Sequence, residues 1–64
     1  MYSKESLYDI MQRILQFEVE VKALYDNCIK KLEDKSIIDI LQSISNEEKG
    51  HIELAKQLLE IVKE

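Results

Sequence analysis

Glu33-Asp34-Lys35-Ser36 is the one stretch that breaks a helical pattern running through the rest of the sequence. On both sides of it, apolar residues recur at steps of three and four, which is the spacing of an amphipathic helix. The break contains neither Gly nor Pro, so we expect a short connection, with Asp34 or Ser36 capping the helix that follows. Two long helices joined by a short turn form an antiparallel hairpin.

The pattern predicts a single all-α domain over residues 1–64, with one helix on each side of the turn. The first helix spans about residues 4–32 and is capped by Ser3 or Ser6; the turn takes residues 33–36, and the second helix spans about 37–62. The first helix has a heptad seam of Leu7, Ile10, Ile14, Phe17, Val21, Leu24 and Cys28. The apolar side of the second helix comprises Ile37, Ile38, Leu41, Ile44, Ile52, Ala55, Leu58, Leu59 and Val62.

The length of the chain makes an isolated hairpin marginal. A domain of 64 residues buries only about 60% of the surface of its unfolded chain. The lone Cys28 excludes an internal disulfide framework and a cysteine-rich metal site. Further apolar residues widen both stripes, as is typical of oligomer contacts: Met11, Leu15, Val19, Ile29, Ile40, Leu54 and Ile61. We therefore expect a homodimer at least, in which two hairpins form a four-helix bundle.

Charge and hydropathy exclude two classes of partner. The formal net charge of −4 argues against a non-specific nucleic-acid binder. No apolar run approaches the length of about 18 residues that a membrane helix needs, and the N-terminus lacks the apolar core of a signal peptide. We therefore expect a cytoplasmic protein that binds neither nucleic acid nor membrane.

Three polar residues interrupt apolar columns that face inward. Glu18 follows Met11 by seven residues in the first helix, while Glu48 and His51 stand at i, i+3 on one face of the second. Glu20, by contrast, belongs to a column that is polar throughout and faces water. With the turn centred near residues 33 and 34, position 18 faces position 49, so the three side chains should converge at one level. Buried acids need a partner or a metal.

A two-fold axis at this level would bring four Glu and two His into one core. That is the ligand set of a di-iron carboxylate bundle, in which two helices give a Glu each and two give Glu-x-x-His. Mixed carboxylate and imidazole ligation favours iron, with manganese or zinc as possible substitutes. We therefore predict a metal site of Glu18, Glu48 and His51, shared between two chains.

Residues 17–59 resemble one half of a ferritin-like or rubrerythrin-type bundle, with Glu18, then Tyr25, then Glu47-Glu48-Lys49-Gly50-His51. The spacing is most similar to that of encapsulated ferritins, short two-helix chains. This resemblance implies a ferroxidase centre with Glu18 and His51 as terminal ligands and Glu48 as the bridge. It also implies a ring-like oligomer and an encapsulin shell for iron storage or detoxification. The paired Cys-x-x-Cys motifs of a rubredoxin domain and an evident encapsulin-targeting tail are not found in these 64 residues.

Other interpretations remain open. The chain could be a rubrerythrin-like peroxidase that uses an external electron donor. It could also be a metal-free helical dimerisation module, in which Glu18, Glu48 and His51 form a buried polar network. Tyr25 is predicted either to hydrogen-bond a ligand carboxylate or donate an electron, or to be a core aromatic residue.

Overall fold

The computed structural model describes residues 3–63 as two helices, α1 (Lys4–Lys31) and α2 (Lys35–Lys63). The helices pack against each other, and residues 3–63 contain no strand. The two sequence-distant contacts Glu18–His51 and Asp26–Ser45 run in opposite directions along the helices, as an antiparallel hairpin requires. The predicted all-helical pair is thus confirmed, and its pairing with a second copy stays a prediction.

Side-chain caps determine where each helix begins. Ser3 caps α1, because its hydroxyl oxygen accepts a hydrogen bond from the backbone N–H of Ser6 at 3.1 Å. Asp34 caps α2 in the same way, accepting from the N–H groups of Ser36 at 2.9 Å and Ile37 at 3.3 Å. These caps satisfy backbone donors that a helix start leaves unpaired. Because Asp34 rather than Ser36 is the cap, α2 starts two residues before the predicted position 37.

The seam between the helices is a heptad stripe on each. In α2 it includes the most buried side chains of the described residues, namely Ser45, Ile52, Ala55 and Val62. In α1 its members are half-buried: Tyr8, Met11, Leu15, Glu18, Lys22, Tyr25 and Ile29. The interior of the hairpin is therefore thin, as expected for two helices alone.

The stripe predicted as the seam of α1 lies at the edge of the contact with α2, because Leu7, Ile10 and Val21 are half-buried and its other four members are exposed. It lies one position, or about 100°, around the helix from the actual seam, and Ile14, Phe17, Leu24 and Cys28 on it are exposed. The actual seam includes Glu18 and Lys22, so it is less apolar than its neighbour. Apolar content alone therefore favoured the wrong stripe.

In an antiparallel pair, the residue that precedes each seam position points to one side of α1, and its counterpart on α2 points to the same side of the pair. The stripe from Leu7 to Cys28 is thus joined by the corresponding stripe of α2, which comprises Ile37, Ile40, Ile44, Glu47, His51, Leu54, Leu58 and Ile61. We call the two stripes together the outer apolar face. Of the large hydrophobic residues that are exposed, all but Val19 and Leu32 lie on it. A continuous exposed apolar surface of this kind is typical of an interaction site.

Candidate metal centre

The hairpin brings Glu18, Glu48 and His51 together near its middle. One potential ligand atom from each lies within 4.8 Å of those of the other two. His51 Nδ1 is 3.8 Å from Glu18 Oε2 and 3.9 Å from Glu48 Oε2. The predicted convergence of these side chains is therefore present within a single chain.

The three side chains differ in their access to solvent. Glu48 and Glu18 are mostly buried, with 16% and 21% of their side-chain surface exposed, whereas His51 is 57% exposed. Glu48 Oε2 is buried and has no hydrogen-bond partner among the described residues. Such an orphaned charged acceptor is destabilising unless something supplies a donor or a positive charge. The three residues could hold a metal ion, which would supply such a charge.

An open depression lies beside Glu18 and His51 on the outer apolar face. Its volume is about 230 Å³. Its lining comprises Met11, Ile14, Glu18, His51, Leu54, Ala55 and Leu58. Glu18 and His51 are thus reached from the surface on which the exposed apolar residues lie.

Glu20, which was predicted to face water, and the candidate Tyr25 lie outside this group. Glu20 is exposed, and its Oε1 accepts a hydrogen bond from Gln16 Nε2 at 3.3 Å, on the neighbouring turn of α1. Tyr25 is half-buried on the seam, seven residues after Glu18 and therefore about 10 Å further along the helix axis. That distance separates Tyr25 from the converging ligand atoms, so its role at the site stays a prediction.

A polar network on the seam, buried at Ser45 and partly exposed at Lys22 and Asp26, was not predicted. Ser45, which is fully buried, donates its hydroxyl to Asp26 Oδ1 at 2.6 Å, and Lys22 Nζ contacts Asp26 Oδ2 at 2.7 Å. The hydrogen bond from Lys22, followed by that from Ser45, holds the pKa of the Asp26 carboxyl below its ordinary value, against the opposite effect of burial. The sequence signal was Ser45 in the otherwise apolar column of Ile38, Ser45, Ile52 and Leu59.

The donor set fits a transition metal better than calcium. Two carboxylates supply hard oxygen ligands that can bridge ions, and imidazole is a ligand for iron, manganese or zinc. The described residues of one hairpin bring three such donors together.

Comparison of the chain with protein families, curated proteins and solved structures finds no match. Within residues 3–63, neither helix combines the length and the apolar character needed to cross a membrane.

Proposed function

We propose that this protein is a ferroxidase, which oxidises Fe(II) to Fe(III) with dioxygen or peroxide at a di-iron site shared by two copies of the chain. The observation that supports this most is the orphaned, buried Oε2 of Glu48, which lies beside Glu18 and His51. Two carboxylates and one imidazole, with one carboxylate oxygen that has no hydrogen-bond partner among the described residues, form an arrangement that a divalent cation would stabilise.

The second copy is part of the proposal because each hairpin offers only half of the donors. His51 is exposed on the outer apolar face, and the depression beside it opens on the same side. A two-fold axis near His51 would place the donors of both chains around one core and would cover the exposed apolar residues. Assembly and metal binding would then stabilise each other.

Each residue of the centre has a distinct role in this proposal. Glu48, with its buried and unpartnered oxygen, would bridge two ions, while Glu18 and His51 would each hold one. Bound iron supplies the one-electron redox change. The carboxylates contribute negative charge and hard oxygen donors, which favour Fe(III) over Fe(II). A second copy on the outer apolar face would restrict access of water.

The shape of the described residues bears on whether this protein could store the Fe(III) that it produces. A pair of helices measuring 47 × 17 × 14 Å encloses no chamber for a mineral. Storage of Fe(III) by this protein would therefore depend on a separate shell, such as the encapsulin compartment that the resemblance implies. Detoxification of Fe(II) and its oxidant would need no shell.

A second candidate function is supported by the outer apolar face itself. A metal-free dimerisation module would also bury Phe17, Leu24 and Ile40, which are exposed in the single hairpin. It gives no reason for an unpartnered carboxylate oxygen at Glu48, which is why we favour the metal-binding function.

The decisive experiment is anaerobic native mass spectrometry with and without Fe(II), followed by exposure of the loaded protein to dioxygen or peroxide. We expect an even number of chains, two iron ions for each pair and conversion to Fe(III) that depends on the protein. Turnover of peroxide driven by an external donor, without accumulation of Fe(III), would instead favour a peroxidase. Equal mass and equal melting temperature with and without Fe(II) would favour the metal-free module.

A further inference from the structure

Lys22 is a cationic side chain on the seam, one helical turn after Glu18. It follows Glu18 by four residues on the seam of α1, and a Glu followed by a Lys at this spacing is the favoured orientation for a helical ion pair. In the structure, however, Lys22 Nζ contacts Asp26 Oδ2 at 2.7 Å. Within residues 3–63, no ion pair joins Lys22 to Glu18.

Lys22 is also placed to meet Glu48. The contacts Glu18–His51 and Asp26–Ser45 lie on either side of Lys22 along the hairpin. Position 22 of α1 is therefore level with position 48 of α2. Nevertheless, Oε2 of Glu48 has no hydrogen-bond partner in the described part of the chain. Lys22 is therefore level with the carboxylates of Glu18 and Glu48, yet its ammonium pairs with the carboxylate of Asp26.

Asp26 is held firmly in the position from which it binds Lys22. Its Oδ1 accepts the hydroxyl of Ser45 at 2.6 Å, and Ser45 is completely buried on α2. Its other oxygen, Oδ2, takes the ammonium of Lys22. The hydrogen bond across the seam thus fixes the side chain of Asp26, and Asp26 in turn fixes that of Lys22.

We propose that Asp26 is a positioning residue that holds the Lys22 ammonium away from Glu18 and Glu48, and so keeps both carboxylates available to a divalent cation. This inference rests on the proposed function, because it concerns the same metal centre. Without Asp26, Lys22 would pair with Glu18 or Glu48, and an incoming cation would have to displace it.

The first test measures the affinity for Zn²⁺ alone, by titration calorimetry. Asp26→Asn keeps an acceptor for Ser45 but removes the negative charge that binds Lys22. We expect Zn²⁺ to bind about tenfold more weakly, because Coulomb attraction at partly buried sites reaches this size. The double variant Lys22→Met/Asp26→Asn should regain the wild-type affinity. Unchanged affinity in Asp26→Asn, or a loss that Lys22→Met does not restore, overturns the proposal.

A matched control is available in α2. Lys35 and Asp39 form another i, i+4 pair, with Nζ and Oδ1 3.5 Å apart, but both side chains are largely exposed. Asp39→Asn removes the same charge from the same kind of pair near the turn, and we expect it to leave the affinity for Zn²⁺ unchanged. An equal loss in this variant would show that net charge, not the placement of Lys22, sets the affinity, and would overturn the proposal.

The second test needs no metal. Glu18→Gln and Lys22→Met are combined in a double-mutant cycle of urea unfolding at fixed protein concentration, once in the wild-type background and once in the Asp26→Asn background. We expect additive effects in the wild-type background and a coupling between positions 18 and 22 in the Asp26→Asn background. Additivity in both backgrounds overturns the proposal. Wild-type protein that binds no Zn²⁺ would instead overturn the metal centre, and the cycle would still decide whether Asp26 restrains Lys22.

Discussion

Glu18 Oε2 lies 3.8 Å from His51 Nδ1, across the seam between α1 and α2. The two residues meet where the interior of the hairpin opens onto the outer apolar face, since Glu18 is mostly buried and His51 is mostly exposed. A ligand that binds both must therefore lie at the edge of the single chain. This position links the proposed metal centre to self-association.

Glu48→Ala and His51→Ala should each abolish tight binding of Fe(II), because each removes one of three donors that converge within 4.8 Å. Anaerobic titration calorimetry measures this directly. Glu20→Ala is the matched control, since Glu20 is an exposed acid on the same helix as Glu18, outside the group. An equal loss of binding in Glu20→Ala would show that the metal binds to a different face of the hairpin.

Glu48→Met should stabilise the metal-free protein while it prevents metal binding. Methionine has a similar length, and the exchange removes a buried carboxylate oxygen that has no hydrogen-bond partner within the described residues. The free energy of unfolding should rise by about 1 kcal/mol, the usual scale for an unsatisfied buried polar group. Urea unfolding without metal provides the measurement.

The control for this gain in stability is Glu53→Met, because Glu53 is an exposed acid on the same helix. It should change the free energy of unfolding by less than about 0.5 kcal/mol, as surface substitutions usually do. Lower stability in Glu48→Met than in wild type would mean that the carboxylate has a stabilising partner in the metal-free oligomer.

Leu24→Lys should shift the protein toward a monomer. Leu24 is exposed on the outer apolar face, and a lysine there would be buried without a partner if a second copy covers this face. Sedimentation velocity measures the distribution of species, and Val19→Lys serves as the control, because Val19 is exposed on the opposite side of α1. If only Val19→Lys dissociates the oligomer, the interface lies on that opposite side.

The sequence was sufficient to predict two helices joined by a short turn and the meeting of Glu18, Glu48 and His51. Those features depend on helix period, caps and distance from the turn, all of which are local or nearly so. The facing stripe of α1 was harder, because two adjacent stripes have heptad spacing and the one that meets α2 includes Glu18 and Lys22. The hydrogen bond from Ser45 to Asp26 could not be predicted, because no pattern in the sequence pairs these two residues.

The contribution of Asp26 to stability should decrease at low pH. Hydrogen bonds from Lys22 and Ser45 hold the pKa of its carboxyl below the ordinary 3.8. A pKa lowered by folding gives a contribution that is complete above the unfolded value and is lost as the pH falls through the folded value. The difference in free energy of unfolding between wild type and Asp26→Asn should therefore be constant near neutral pH and shrink below 3.8. A difference that does not change across this range would show that the charge of Asp26 has no part in it.

Gly50→Ala should stabilise α2 without weakening metal binding or assembly. The φ angle of Gly50 is not positive, and a Cβ atom there would meet no other group within 4 Å among the described residues. Alanine in a helix interior is favoured over glycine by about 0.5–1 kcal/mol. Gly50 shares its column with Ser43 and Gln57 on the side of α2 that points away from α1, so a second copy on the outer apolar face leaves room for the methyl group. Thermal unfolding and sedimentation velocity measure both effects, with Gln57→Ala as the control on the same column. If Gly50→Ala dissociates the oligomer while Gln57→Ala does not, another helix approaches α2 closely at Gly50, and the second copy covers a different side of the hairpin from the one proposed.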